Sequence, residues 1–129
     1  MMFRLEQIAS GLKCDMGIRY SFLAHNQAEW GRHWKQFFPK SDIMEYDFSE
    51  VSILGVGYGR SSTETLIRIL HVEEHRNSLE VDVGYWVGSN KQVCQPYHLV
   101  RISPTKKSAS FSYRKVGRIA LRSFPKPRK

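Results

Sequence analysis

Beyond Asp82 this sequence contains no Asp or Glu. All 12 acidic residues of the 129 lie at or before that position, while 11 of the 20 Lys and Arg follow it. That gap leaves a near-neutral body with a basic end, and the basic end has two readings. Lys and Arg release counterions from phosphates, so it reads as a nucleic-acid or polyanion-binding module using Lys106, Lys107, Arg114, Lys115, Arg118, Arg122, Lys126, Arg128 and Lys129. It reads equally as a solubilising tail.

Cysteine is scarce. Cys14 and Cys94 allow at most one bridge and cannot form a four-cysteine zinc site, which excludes a disulfide framework. Long apolar runs are missing too. No stretch approaches the roughly 18 apolar residues that span a bilayer, and "MMFRLEQIASG" lacks the apolar core of a signal peptide. As written, the chain is expected to be soluble and intracellular, unless an export signal precedes it. There is no internal repeat and no G-x-S-x-G nucleophile elbow, and "GVGYGR" lacks the Lys-Ser/Thr of a phosphate loop. No cofactor is implied.

What is present is the composition of one globular domain, with 41% hydrophobic and 25% charged residues and a net charge of +8. Asn26 is a good N-cap, Glu29 stands where a capping box needs it, and Trp30, Trp34, Phe37 and Phe38 recur at helical spacing. These predict a helix over about residues 27–38, ended by Pro39. Strands are predicted at "VSILGVGYG", "TETLIRILHVEE", "LEVDVGYWV", "VCQPYHLVRIS" and "SASFSYR", with shorter edge strands at "FRLEQIA" and "IRYSFLA". Leu79, Val81, Val83, Tyr85 and Val87 share one face of the third, "GSN" (Gly88 to Asn90) reads as a turn, and Ala109, Phe111 and Tyr113 line one side of "SASFSYR". The expected fold is α+β: one amphipathic helix on a curved, largely antiparallel sheet of five to seven strands, barrel- or sandwich-like. Residues 1–117 form the domain and 118–129 a basic extension, in which Ile119, Leu121 and Phe124 can dock a short element.

The chemistry candidates are few. Cys94 and His98 in "CQPYH" share a strand face but stand about 13 Å apart at roughly 3.3 Å per residue, too far for a thiolate–imidazole pair. Pro96 marks a strand start or a sheet edge, hence a place where a partner could add a strand. A zinc site would need further ligands from His25, His33, His71, His75 or Cys14, and none shows paired spacing, so no metal is expected. "HVEEH" is not the H-E-x-x-H order and reads as a solvated hairpin end. Trp86 falls on the face opposite Val81, Val83 and Tyr85, so an open face there would make it a contact residue. Tyr85, Trp86, Tyr97, Phe111 and Tyr113 could stack single-stranded bases, but such residues more often fill cores.

The order "LEQIASGLKCDMGIRYSFLAHNQAEWGRHW", "DFSEVSILGVGYG", "LIRILHVEEHRNSLEVDV" and "QPYHLVRI" resembles the C-terminal domain of the protease complex subunit PrcB family, over about residues 5–113. The match rests on Gly11, Trp30, Trp34, Asp47, Phe48, Ser49, Pro96, Tyr97, His98 and Ile102. Where the family has a Thr-Gly-Gly-Tyr-like turn, this chain has Arg60-Ser61-Ser62-Thr63-Glu64-Thr65, and the basic extension from Arg114 is an addition. The resemblance implies a noncatalytic accessory domain that binds and stabilises a protein partner, originally a protease, in a family whose members are often exported. Trp86, Pro96, Tyr97 and His98 are the partner-binding candidates.

Overall fold

A computed structural model describes residues 2–122. Phe124, Lys126, Arg128 and Lys129, named above as docking or polyanion-binding candidates, lie outside the described residues, as does the side chain of Arg122. The chain runs β1 (Glu6–Gly11), β2 (Tyr20–Ala24), α1 (Gln27–Phe37), β3 (Ser52–Gly57), β4 (Ser61–Glu74), β5 (Ser78–Cys94), β6 (Tyr97–Ile102), β7 (Ser108–Lys115) and α2 (Arg118–Arg122). The strands form two sheets, one ordered β1-β6-β3-β2 and the other β4-β5-β7.

α1 forms because its ends and its apolar face agree. The Asn26 side chain accepts from the Glu29 N–H at 2.8 Å, and Trp30, Trp34 and Phe37 are buried. The capping box differs by one residue from the sequence reading, because the Glu29 carboxylate reaches the N–H of His25 (2.7 Å) rather than that of Asn26. Burying Trp30 and Phe37 fully, at 0% exposure, stabilises the domain by about 1.5–3 kcal/mol per large side chain relative to leaving it in water. The indole N–H groups stay paired, Trp30 with Met44 O and Trp34 with Ser41 O, which fastens the loop after the helix.

Two cores result. Trp30, Trp34 and Phe37 of α1 pack with Phe22, Ile53 and Leu99 on one face of the four-stranded sheet. On its other face Leu54, Val56, Val100 and Ile102 meet Ile67, Ile69, Val72, Leu79, Val81 and Val83 of the three-stranded sheet. β3 is therefore covered on both sides, which is why every one of its residues is buried and its sequence after Ser52 carries no polar side chain instead of alternating.

The arrangement is a sandwich, closed along one side only. The Phe3 N–H donates to Val72 O (2.9 Å) and Met2 bridges Glu73, so the segment before β1 joins β4. On the other side β2 and β7 form no ladder, and the barrel does not close.

Several sequence expectations need correction. "GSN" is not a turn. β5 continues through Gly88–Asn90 to Cys94, paired with β4 at Thr63↔Lys91 and Ser61↔Cys94. Residues there are mostly exposed on both faces, so polar turn-formers cost little. Val87 is 38% exposed, unlike the buried Leu79, Val81 and Val83. "VCQPYHLVRIS" is not one strand, since Cys94 ends β5 and Tyr97 begins β6 in the other sheet. β7 runs parallel to β5, which follows from that crossing: the chain leaves the three-stranded sheet, passes through the four-stranded sheet as β6 and returns. Of the residues expected to dock a short element in the extension, Leu121 of α2 is 1% exposed and lies beside Gly84, whereas Ile119 is 81% exposed and does not dock.

Candidate functional site

Cys94 ends β5 of the three-stranded sheet and His98 lies on β6 of the four-stranded sheet, so the two do not share one strand face as the sequence suggested. The Cys94 thiol points to Thr63 O (3.4 Å). Cys14, half-buried beside Gln95, has its thiol pushed up by burial, which keeps it protonated.

His98 is a staple between the sheets. The β4–β5 ladder shifts between Ile69 and His71, and the Ile69 N–H donates to His98 Nδ1 at 2.9 Å. Nδ1 is thereby the acceptor, and Nε2–H donates to Gln7 Oε1 on β1, also at 2.9 Å. Burial, then the nearby Arg68 guanidinium, pushes its pKa down from 6.5 to about 3, so the imidazole is neutral.

The other partner-binding candidates are also built into the structure. Pro96 immediately precedes β6, which is an interior strand between β1 and β3, so the sheet edge expected there is absent. The Tyr97 ring packs edge-on against Phe38 at 5.0 Å and fills the space beside Gly11. Trp86 is half-buried, with the Arg118 guanidinium 5.1 Å above its ring. The aromatic residues proposed to stack bases form no platform, because Tyr97 belongs to the helix-side core while Tyr85, Phe111 and Tyr113 pack on the inter-sheet core.

Among the described residues, several cations of the basic half are paired. Lys107 Nζ reaches Glu74 Oε2 (3.0 Å) and His75 O (2.7 Å), Arg114 holds Asp82 through two bonds of 2.9 Å, and Arg118 stands 3.8 Å from Glu64. Arg101 likewise grips Glu6. Each acid precedes Val83 and each cation follows it, so folding interleaves charges that the sequence separates. Lys106 and Lys115 are exposed and make no ion pair among the described residues.

The open seam between β2 and β7 is the site that sequence reasoning missed. It is pinned at both ends by side chains. His25 Nε2–H donates to Lys107 O (2.9 Å), and the Tyr113 hydroxyl donates to Tyr20 O (3.3 Å). Beside the second pin, the Arg19 guanidinium lies 4.5 Å from the Tyr113 ring centre and 5.6 and 5.7 Å from those of Tyr85 and Tyr58. Between the pins an open cleft of about 340 Å³ is lined by Ser21, Leu23, His25, Ser108, Ala109 and Phe111. No family model, curated protein or solved structure matches the chain. The seam therefore stands on its own chemistry: two edge strands that form no ladder with each other, apolar side chains in the cleft and no charged side chain between Tyr20 and Ala24 or between Ser108 and Tyr113. The signals available in the sequence were that charge-free character and the reading of "IRYSFLA" as an edge strand, which β2 is; that β7 would be the edge facing it was not legible.

Proposed function

We propose that this chain is a non-enzymatic protein-interaction domain that takes up an extended segment of a protein partner along the β2–β7 seam. The observation that carries the reading is the pair of unprotected edges. Exposed edge strands are ordinarily blunted by Lys, Pro or inward charges, because their unpaired N–H and C=O groups recruit other chains. Tyr20–Ala24 and Ser108–Tyr113 contain neither charge nor proline and face one another across a cleft. An incoming strand gains main-chain hydrogen bonds from an edge and side-chain specificity from the cleft floor of Leu23, Ala109 and Phe111.

The resemblance to the PrcB family supports the same class, an accessory domain acting on a protein partner such as a protease. The polyanion reading draws less support, since Lys107, Arg114 and Arg118 are engaged with carboxylates or an aromatic ring.

The test is hydrogen exchange on the full chain with a copurified partner. New protection is expected at β2 and β7 amides. Ser21→Lys and Ser108→Lys, which place charges at exposed positions of the cleft, are expected to abolish binding while leaving the fold intact. Protection confined to other strands would sink the reading. So would recovery of nucleic acid alone, with affinity falling steeply as salt rises.

A further inference from the structure

We propose that the end of the β4–β5 hairpin is a binding site for a first-row divalent cation such as zinc, formed by Glu73, His75 and Glu80. Glu73 and Glu80 are direct cross-strand partners in the ladder. Two carboxylates opposed in this way repel, and the pairing calls for a positive centre between them. The fold places a nitrogen donor there. His75 Nε2 lies 2.9 Å from Glu73 Oε1 and 3.2 Å from Glu80 Oε2, and the three ligand atoms all fall within 4.8 Å of one another. Donors that bind one zinc at about 2.0–2.2 Å must stand within roughly 4 Å of each other, so small side-chain rotations suffice.

The donor set selects the ion class. One imidazole and two carboxylates suit zinc, cobalt or manganese, whereas calcium takes six to eight oxygens and copper(I) takes sulfur. Two carboxylates and a neutral imidazole also balance a charge of +2. The supporting backbone is fixed: the His75 N–H donates to Ser78 O (2.8 Å) and Lys107 Nζ donates to His75 O. Lys107 also holds Glu74, which keeps that third carboxylate turned away from the set. The site lies at the surface, so further coordination positions are open to water or to a ligand from a partner. It is separate from the β2–β7 seam and does not depend on that reading.

The experiment titrates the full chain with Zn²⁺ by calorimetry and with Co²⁺ by visible absorption, whose intensity reports the coordination number. One saturable equivalent is expected, together with a thermal midpoint that rises with Zn²⁺ concentration. His75→Ala and Glu80→Gln are expected to weaken binding by at least about tenfold. His71→Ala, which alters the neighbouring imidazole 3.4 Å from Asp82, leaves it unchanged. Circular dichroism without metal checks that each variant folds, which the surface position of all three residues favours. The proposal is overturned if the unsubstituted chain shows no saturable binding, if His75→Ala binds as tightly, or if His71→Ala is the variant that loses the ion.

Discussion

Single residues decide how the two sheets are held. His98 of β6 reaches both the Ile69 N–H and Gln7 at once, and it does so as a neutral ring. The sign of its pH effect follows from its depressed pKa. On acidification the unfolded chain takes up a proton near 6.5, while the folded chain resists until about 3. The contribution is whole above the unfolded value and is lost as pH falls between the two, at roughly 1.4 kcal/mol per pH unit. Urea unfolding at a series of pH values is expected to show this slope and to show it flattened in His98→Gln. That variant is also less stable at neutral pH, because it keeps a donor toward Gln7 but strands the Ile69 N–H. Gly55 offers a second test. A Cβ there would press into the Phe22 ring and Leu99, so Gly55→Ala is expected to cost about 1–3 kcal/mol, whereas Gly117→Ala, with nothing within 4 Å, leaves the denaturation midpoint nearly unmoved. The residues behind the family resemblance are architectural in the same sense: Tyr97 fills the space beside Gly11, Trp30 and Trp34 build the helix-side core, and Asp47 turns the chain toward β3 by accepting from the Ser49 N–H and hydroxyl.

At the scale of elements, legibility tracked how local the determining forces were. α1 could be read because its cap, its apolar period and its terminating proline all lie within one short segment. The alternation of Leu79, Val81 and Val83 was readable for the same reason. β5 was cut short at "GSN" because turn-forming residues tolerate an exposed strand when a partner strand supplies the ladder, and the β4 residues that pair there, Ser61 and Thr63, lie at the far end of the hairpin. α2 was half legible. Leu121→Ala is expected to cost about 2–5 kcal/mol and to increase quenching of Trp86 fluorescence as the Arg118 cover lifts, while Ile119→Ala changes neither. Equal effects from the two would mean that α2 does not dock through Leu121. A truncation meant to remove the basic tail should therefore end after Arg122; one ending after Tyr113 would cut β7 and take Leu121 with it.

At the scale of the molecule, part of the charge asymmetry of the sequence is taken up in pairs among the described residues. β7 and the segments flanking it carry the cations, and they lie beside strands that carry the acids, so Lys107 meets Glu74, Arg114 meets Asp82 and Arg118 meets Glu64. Association with an oligonucleotide is accordingly expected to stay in the nonspecific range, at Kd of about 10⁻⁴–10⁻⁶ M near physiological salt, measured by fluorescence anisotropy at two salt concentrations. A much tighter complex would restore the polyanion reading. The sequence by itself determined the helix, most of the strands and the absence of a membrane-spanning run, because these depend on period, caps and composition along a few residues. Only the tertiary structure decided that β6 is interior, that β7 is parallel to β5 and that β7 is the edge left facing β2. Those facts are set by which strands pair across long stretches of chain, and strand pairing depends on how the faces pack together rather than on any local pattern.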